Sequence, residues 1–443
     1  MQQWENIFRC IVGLLFLFGL CYLLSNNRKA INWKLVVYGF LLQLAIGLSI
    51  AYIPFVGQAF GFLASAFVKV VNLGKEGAAF LFGPRLLDPS MPWGFVFALQ
   101  ALPNIIFFAA LSGLLYYLGI LQKIVFAFAW LLSRIGVSGP ESVSAAANVF
   151  LGQTEAPLMA KPYIPNMNRS ELLCIMVGGM ATTAGAVLAT YVGMLGGSDV
   201  EQQRFFALQL LTASVMAAPA TIVVAKLLYP DPDKTKVSRD VKVSQEKIGS
   251  NVLEAVSNGT VDGLKLAVNV GAMLIAFIAL IAVLNAALGW IGSFDHLFSW
   301  QFKSLNAVIS DATGGKYTSL SLQFLLGYLF APVAWLIGVE TPDITRFGQL
   351  LGEKTILNEF VAYGSLSAMK ADPSVVLSPK TVLMASFALC GFANFSSIGI
   401  QIGGIGALAP EQRRNLSELG FKALVGGTIV SLINACIAGA LYG

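Results

Sequence analysis

The stretch Gly-Gln-Thr-Glu-Ala-Pro at residues 152–157 interrupts an apolar, helix-forming segment, and Asn-Glu-Phe at residues 358–360 interrupts a second one. Each stretch places one glutamate, Glu155 or Glu359, in surroundings that otherwise avoid charge. An acidic residue near the centre of a bilayer costs about 2.5 to 3.5 kcal/mol to insert, and such residues usually mark sites or pathways. If these segments lie in a membrane, both glutamates are expected to be functional.

The composition places the chain in a membrane. Its 443 residues are 56% hydrophobic and 12% charged, and the charged fraction is about half that of a soluble globular protein. Crossing a hydrocarbon core takes about 20 residues. Eight uncharged runs are long enough to do so, and they lie between Arg9 and Arg28, Lys34 and Lys69, Asp88 and Lys123, Glu171 and Asp199, Arg204 and Lys226, Lys265 and Asp295, Lys380 and Glu411, and after Lys422. A ninth run, Tyr317 to Val339, contains Gly327 and Pro332 and is interpreted as an interfacial or tilted helix.

Several other functions find little support in the residues. The run after Arg9 resembles a signal peptide but lacks a small-residue cleavage pattern, which favours a retained helix. The five cysteines form no close pairs along the chain, so neither a metal site nor a disulfide framework is predicted. The single histidine, His296, does not suggest metal chemistry. We find no His-Glu-x-x-His or Gly-x-Ser-x-Gly motif, so the chain is not expected to be an enzyme.

The basic residues predict the orientation. Basic residues collect on the cytoplasmic side of membrane proteins, and most of them face that side if the amino terminus is outside. Both termini are then periplasmic or extracellular, in a bacterial cytoplasmic (inner) membrane. This asymmetry also accounts for the net charge of +5, so a nucleic-acid partner is not needed; the expected environment is the lipid bilayer.

Two segments are apolar but broken in the middle, and each half is too short to cross. They cover residues 139–168 and 341–371, and by the orientation above they enter from opposite sides. Irregular backbone at membrane depth must face protein or a water-filled cavity, so we interpret both as re-entrant hairpins. The following spans, 171–196 and 381–409, contain Gly, Asn, Ser and Thr clusters that predict local unwinding.

A hairpin, a broken helix and a plain span therefore occur twice in opposite orientations, and the plain spans are expected at 205–225 and 423–442. This inverted repeat is typical of secondary transporters, which bind substrate and coupling ion near the midplane. The predicted fold is an all-α polytopic membrane protein with eight transmembrane helices, two re-entrant hairpins and interfacial helices. We divide it into scaffold helices at 1–120, a first transport repeat at 121–228, a scaffold helix at 248–293 and a second transport repeat at 317–443. A channel would instead need a continuous polar pore.

The polar residues of these segments indicate the type of solute. Two carboxylates with Gln153, Thr154, Asn394 and Ser397 suit a neutral, hydroxyl-rich molecule with an amide-like edge, because carboxylates accept and amides both donate and accept hydrogen bonds. Singly, Ser and Thr in membrane helices usually bond to a carbonyl one turn earlier, and glycines are usually packing positions. Phe392 and Phe395 would add an apolar face.

Three motifs in order carry a family resemblance: residues 152–157, residues 358–360, and Gly-Phe-Ala-Asn-Phe-Ser-Ser at 391–397. The chain resembles the concentrative nucleoside transporters in their short bacterial form with eight spans. The resemblance implies a homotrimer whose transport part moves as an elevator. It places the nucleobase against Gln153, Thr154, Glu155 and Val187, with Phe392 packing near it, and the ribose against Glu359, Asn394 and Ser397.

The resemblance also implies a coupling cation and no organic cofactor. In sodium-coupled members the ion lies between the first hairpin tip and the first broken helix, and the matching positions are Asn148 and Thr182 through side-chain oxygen and Leu151 and Thr183 through backbone carbonyls. Leu151 and Thr183 depart from the smaller or branched apolar residues usual there, but a carbonyl ligand survives that change. Some relatives use protons, which Glu155 or Glu359 would carry if desolvation raised its pKa. Sodium is the preferred coupling ion. Purine versus pyrimidine preference is not predicted.

Overall fold

The computed structural model describes residues 2–88, 91, 93, 96–231, 241, 243–244, 249–297, 300–301 and 303–441. The described chain is all-α apart from one two-residue antiparallel ladder, β1 (His296–Leu297) with β2 (Trp300–Gln301). The helices of the first half are α1 (Gln2–Leu23), α2 (Trp33–Tyr52), α3 (Pro54–Phe82), α4 (Phe97–Gln100), α5 (Leu102–Tyr117), α6 (Ile120–Ser133), α7 (Gly139–Ala147), α8 (Ala156–Met159), α9 (Arg169–Ala181), α10 (Gly185–Gly196) and α11 (Val200–Leu228). The helices of the second half are α12 (Val252–Gly292), α13 (Leu305–Ala312), α14 (Leu322–Leu336), α15 (Ile344–Ile356), α16 (Glu359–Ala371), α17 (Pro379–Leu389), α18 (Phe395–Leu408) and α19 (Arg413–Leu441).

Eight helices of the described chain are long and apolar enough to cross a membrane, counting α4 with α5 and α9 with α10 as one helix each. The number of spans agrees with the prediction, but two of the eight predicted runs do not correspond to a single spanning helix. The run from Lys34 to Lys69 is two helices, α2 and α3, because α2 ends at Tyr52 and Pro54 starts a new helix after the single residue Ile53. The run from Lys380 to Glu411 is divided between α17 and α18, each too short to count alone. The Tyr317–Val339 run contains the 15-residue helix α14.

The first predicted repeat has the expected order of elements with narrower breaks. Within 139–168, α7 is followed by irregular chain around residues 148–155 and then by the single turn α8. Ser138 and Glu141 form a capping box that starts α7. The following span is helical through Ala181 and resumes at Gly185, so the first four residues of the cluster that predicts unwinding, Gly178 to Ala181, remain helical.

The second predicted repeat is more regular. Helices α15 and α16 are separated only by Leu357 and Asn358, and both are longer than their counterparts in the first repeat. The next span breaks between α17 and α18, at residues 390–394. The closing spans α11 and α19 are each 29 residues long. Their expected ranges, 205–225 and 423–442, fall inside these helices except for residue 442, which lies outside the described residues.

The two broken helices touch each other at their breaks. Gly391 has φ +129°, and a Cβ placed on it would lie 2.8 Å from the backbone carbon and oxygen of Ala181. Thr183 Oγ1 lies 3.6 Å from Cys390 Sγ in the same region. The breaks of the two repeats therefore meet in the interior, where α9 and α17 also pack along α19.

Helices α1 and α19 run in opposite directions. Near the start of α1, Cys10 Sγ lies 3.1 Å from Cys436 Sγ, near the end of α19. At the other end Lys422 donates to the Leu24 carbonyl at 3.2 Å. Residues 10 and 436 thus lie at the same end of the fold, as the predicted even number of spans requires. The absence of close cysteine pairs along the chain did not anticipate this contact in space.

A buried ion cluster holds the first hairpin to α11. Lys226, 5% exposed, contacts the carboxylates of Glu141 in α7 and Asp231 after α11. Its Nζ also donates to Ser170 Oγ at 3.0 Å. The predicted orientation places the segment after α11 on the cytoplasmic side, and five of its basic residues fall outside the described residues: Lys234, Lys236, Arg239, Lys242 and Lys247.

Helices α5 and α12 form the most extensive helix pair of the described chain. Gly113 of α5 and Gly259 of α12 allow the two backbones to approach closely, since a Cβ on Gly259 would lie 2.6 Å from the Ala109 carbonyl. By contrast, α1 packs on α19 and α2 packs on α11. The first two helices therefore contact the predicted transport repeats directly.

Candidate functional site

Asn358 and Asn394, in the motifs at 358–360 and 391–397, are the N-cap residues of the helices that follow them. The Asn358 Oδ1 accepts the backbone N–H of Val361 at 3.0 Å and caps α16. The Asn394 Oδ1 accepts the backbone N–H of Ser397 at 2.9 Å and caps α18. Asparagine is among the strongest N-cap residues. These caps fix Glu359 as the first residue of α16 and Ser397 in the first turn of α18.

The Glu359 carboxylate lies where elements of both repeats meet. It is 2% exposed. Its Oε1 accepts a hydrogen bond of 3.0 Å from the Tyr191 hydroxyl in α10, and its Oε2 accepts one of 3.0 Å from Asn394 Nδ2. An ionised carboxylate has about four lone-pair sites, so each oxygen retains capacity for one more donor, such as a hydroxyl of a bound solute.

The first hairpin tip reaches the same group of residues from the other side. Gln153 is 7% exposed, and its Nε2 donates to Ser397 Oγ at 3.2 Å. Its Oε1 has no hydrogen-bond partner within the described chain. Gln153, Ser397, Asn394, Glu359 and Tyr191 therefore form one connected polar network across both hairpins and both broken helices.

The remaining predicted substrate residues lie beside this network. Thr154 is exposed and lies close to Gly404 of α18. A Cβ added to Gly404 would be 3.2 Å from Thr154 Cγ2. Glu155 is half-buried at the start of α8, and among the described residues no hydrogen bond joins its side chain to the network. Val187 is buried one helical turn before Tyr191 and so shares its face of α10. Phe392 is buried in the second break.

Tyr191 is the polar group that the sequence interpretation missed. It is fully buried, and its ring packs on Tyr363 at a centroid distance of 4.3 Å and on Phe360 at 5.1 Å. A buried tyrosine hydroxyl usually needs a partner. A tyrosine in the middle of an otherwise apolar broken span was therefore a usable signal.

The predicted sodium positions gather at the first break. Asn148 ends α7, and its Nδ2 donates to the Ser144 carbonyl at 2.9 Å, whereas its buried Oδ1 has no partner among the described residues. Asn148 lies against α9 at Gly178, since a Cβ added to Gly178 would be 2.9 Å from Asn148 Nδ2. Thr182, at the end of α9, donates to the Gly178 carbonyl at 2.9 Å. Asn148 and Thr182 thus flank one glycine.

The two backbone positions lie at the same junction. The Gly185 N–H donates to the Phe150 carbonyl at 3.3 Å, so the chain next to Leu151 abuts the break that contains Thr183. Both Leu151 and Thr183 are buried. Side-chain and carbonyl oxygens are the ligands that hard cations prefer, and an unpaired buried amide oxygen fits such an ion.

A cavity of about 230 Å³ lies elsewhere, where α3, α4 and α5 face the end of α10 and the start of α11. Lys75, Gln100, Asn104 and Gln203 are among the polar residues that line it. None of the predicted site residues is among the residues that line this cavity. The polar network connects both repeats and is therefore the candidate site.

Three family models match the chain in succession. A model described as the Na⁺ dependent nucleoside transporter N-terminus matches residues 12–85, one described as nucleoside recognition matches 98–198, and one described as the Na⁺ dependent nucleoside transporter C-terminus matches 209–439. The last of these covers more than half of the chain.

Curated relatives agree. An uncharacterized transporter of Haemophilus influenzae is 42% identical over 99% of this chain and 98% of its own length. The nucleoside permease NupC of Helicobacter pylori is 38% identical over 98% of this chain and 97% of its own. Sodium/nucleoside cotransporter 1 of the rat is 37% identical over 96% of this chain, which spans 63% of the rat protein.

Solved structures support the fold. CNTnw in an inward-facing, substrate-bound state has a TM-score of 0.86 and 38% identity, with 99% of both chains covered. A variant of CNTnw in an outward-facing state has a TM-score of 0.84 and 37% identity, covering 99% of this chain and 98% of that one. Fold and matches together define a multi-pass membrane transporter, not an enzyme. The chain belongs to the concentrative nucleoside transporter family, and its activity is nucleoside cotransport.

Proposed function

We propose that the protein is a sodium-coupled symporter that imports nucleosides across the bacterial cytoplasmic membrane. The observation that carries this proposal is the polar network that runs from Gln153 through Ser397 and Asn394 to Glu359. It offers acceptors and amide donors together, as a neutral solute with ribose hydroxyls and a base requires. Charged-group hydrogen bonds of about 1.5 to 3 kcal/mol each are strong enough to select for those hydroxyls.

The proposed roles divide between the hairpins. Gln153, Thr154 and Glu155 contact the nucleobase with Val187, and Phe392 packs near it. Glu359, Asn394 and Ser397 hold the ribose. The bonds that Glu359 already accepts from Tyr191 and Asn394 support the ribose assignment, because they hold the carboxylate in one orientation.

Sodium is proposed to bind at the first break. Asn148 and Thr182 supply side-chain oxygens, and Leu151 and Thr183 supply carbonyls. The support is the unpaired Oδ1 of Asn148 beside the end of α9, where backbone carbonyls lack helical partners and carry partial negative charge.

Alternating access is proposed to follow an elevator movement within a homotrimer. The extensive packing of α5 with α12 supports a scaffold built on these two helices. The sequence predicts that all of residues 1–120 are scaffold, but α1 packs on α19 and α2 packs on α11. We therefore propose that α1 and α2 move with the transport repeats and that the scaffold is smaller than residues 1–120. Both termini are placed outside the cell, consistent with the shared end of residues 10 and 436.

Uptake by purified protein in liposomes tests the function. Labelled uridine and adenosine are offered with an inward sodium gradient, and then with an inward proton gradient at equal sodium. We expect concentrative uptake with sodium alone. Uptake that follows only the proton gradient would instead support the alternative in which Glu155 or Glu359 carries a proton.

Counterflow separates a carrier from a channel in the same vesicles. Unlabelled uridine outside should accelerate the exit of labelled uridine from a carrier. Exit that is indifferent to outside uridine would refute the symporter. Chemical analysis of the recovered nucleoside would show whether any of it had been altered by an enzyme.

A further inference from the structure

Two cysteines from opposite ends of the chain meet thiol to thiol. Cys10 of α1 is 5% exposed and Cys436 of α19 is 0% exposed, and their Sγ atoms lie 3.1 Å apart. Each Sγ also lies 3.2 Å from the backbone carbonyl oxygen of the other cysteine. Carbon atoms in contact rest about 3.5 to 4.0 Å apart, and sulfur is larger. The packing of α1 on α19 therefore brings the two side chains unusually close.

The other three cysteines have different surroundings. Cys390 Sγ lies 3.6 Å from Thr183 Oγ1 and 3.9 Å from Ser214 Oγ, which are contacts with hydroxyls. Cys21 and Cys174 are buried, and the described chain places no second thiol within hydrogen-bonding distance of either. Since all five cysteines lie within the described residues, the pair between α1 and α19 is the one candidate for a disulfide among them.

The contact is close to the geometry that a disulfide needs. A disulfide bond is about 2.05 Å long, so the two sulfur atoms have to approach by about 1 Å. Small rotations of the two side chains provide this, because each side chain already lies against the backbone of the other residue. Both cysteines lie in helices rather than loops, so the packing of the helices holds them opposite each other.

Charged residues show that the pair lies near the edge of the membrane. Arg9 directly precedes Cys10 and donates to the carbonyls of Trp335 and Val339 at 2.8 and 2.6 Å. Lys380, at the start of α17, is close enough to interact electrostatically with both sulfur atoms. The proposed topology puts this end of the fold outside the cell, where the surroundings are oxidising and disulfides persist.

We propose that Cys10 and Cys436 form a disulfide at the outer end of the fold, a covalent staple that holds α1 to α19 and leaves transport free. The bond forms by exchange with the disulfide of an oxidising protein outside the membrane. The two cysteine thiols give up two electrons and two protons, and the disulfide of the oxidising protein becomes two thiols. Exchange takes place before α1 docks on α19, because the pair is buried afterwards. The inference rests on the proposed outside location of the termini.

The staple is compatible with transport because both of its ends lie in the same moving part. Helix α1 packs on α19 and also contacts α11, and these are the closing spans of the two repeats. A bond from α19 to the scaffold pair of α5 and α12 would instead stop an elevator movement. The staple therefore adds a covalent link to a contact that is expected to stay intact throughout the transport cycle.

Counting thiols in the denatured protein tests the proposal. The full chain is expressed in a bacterium whose thiol oxidation outside the membrane is intact, and membranes are dissolved in denaturant with a maleimide, with or without prior reduction. The chain has five cysteines, and two of them would be bonded. We therefore expect three labelled thiols without reduction and five after it. Mass spectrometry of the unreduced digest should show the peptides of Cys10 and Cys436 joined, and two hydrogens lighter than the free peptides together.

Single variants make the count specific. Cys10→Ser frees Cys436 and should give four labelled thiols with or without reduction. Cys21→Ser, in the same helix, keeps the pair and should give two labelled thiols without reduction and four after it. Reduction should lower the melting temperature of the unaltered protein in detergent by about 5 °C or more and leave that of Cys10→Ser unchanged. Sodium-driven uridine uptake in liposomes should be equal for the oxidised and the reduced protein.

Two results would overturn the proposal. Five labelled thiols in the unreduced, unaltered protein would exclude the disulfide, and uptake that stops on oxidation and returns on reduction would place the staple across the moving boundary. A protease site added before Gln2 reports the orientation independently, since protease outside spheroplasts should cut it. Five free thiols with a cut site refute the staple alone, whereas five free thiols with a protected site trace the failure to the proposed orientation. Loss of sodium-driven uptake in the reduced protein as well would refute the proposed function.

Discussion

The Tyr191 hydroxyl donates a 3.0 Å hydrogen bond to Glu359 Oε1, and these two residues belong to different repeats. The bond joins the broken helix of the first repeat to the hairpin of the second. Gln153 and Ser397 make the reciprocal connection, from the first hairpin to the second broken helix. Each hairpin is thus oriented by the helix of the other repeat, and a change on either side is expected to reach the whole site.

Tyr191→Phe should weaken nucleoside binding without disturbing the packing of α10. Phenylalanine keeps the ring contacts with Tyr363 and Phe360 but removes one donor to the Glu359 carboxylate. Since a hydrogen bond to a charged group is worth about 1.5 to 3 kcal/mol, we expect the KM for uridine to rise by about tenfold or more. Tyr52→Phe, which removes an exposed hydroxyl bonded to the Leu441 carbonyl, is the matched control. Equal KM values for the two variants would contradict the role of Tyr191.

Glu359→Gln should impair recognition of the ribose in particular. The amide keeps the shape but converts one acceptor oxygen into a donor, which cannot accept a hydroxyl proton. We expect a loss of about 10- to 100-fold in kcat/KM for uridine, and a smaller loss for the 2′- or 3′-deoxy analogue that lacks the hydroxyl concerned. Uptake kinetics of uridine and both deoxyuridines measure this. An equal loss for all three would place Glu359 away from the ribose.

The elements that carry the site were predictable because their signals are local. A glutamate in an apolar run marks each hairpin, and clusters of Gly, Asn, Ser and Thr mark each break. The exact ends of the breaks were not predictable. Gly178 and Gly179 lie in helix α9, where their missing side chains leave room for Asn148 and Gln153 from the hairpin. That packing role for the glycines is not visible along the chain.

Features that depend on distant partners could not be predicted. The Tyr191 to Glu359 bond spans 168 residues, and Cys10 meets Cys436 across 426. The division between α2 and α3 was missed for a different reason. Charged residues were used to delimit spans, and none separates these helices, although Pro54 was a local signal for a new helix.

Asn148→Ala should lower the affinity for sodium more than the affinity for nucleoside. The substitution removes the unpaired Oδ1 beside the end of α9 and leaves no side-chain oxygen in its place. We expect the half-activating sodium concentration to rise by about tenfold or more, since loss of even an outer-shell partner of a metal ligand costs that much. Uridine uptake against sodium concentration measures it. Asn285→Ala, which removes an amide bonded to Gln323 at 2.9 Å far along the chain, should keep the original sodium dependence, and an unchanged curve for Asn148→Ala would exclude it as a ligand.

Gly391→Ala should destabilise the protein by separating the two breaks. The φ of +129° disfavours any L side chain, and the new Cβ would lie 2.8 Å from backbone atoms of Ala181 and Met180, which cannot turn aside as a flexible side chain does. Left-handed backbone strain and overpacking together suggest a cost of about 2 to 5 kcal/mol. Gly399→Ala is the matched control, because Gly399 is helical in α18 and its Cβ would meet nothing within 4 Å; alanine there should be neutral or slightly stabilising. Melting temperatures in detergent compare the two variants, and a Gly391→Ala protein as stable as Gly399→Ala would show that the breaks do not need this close contact.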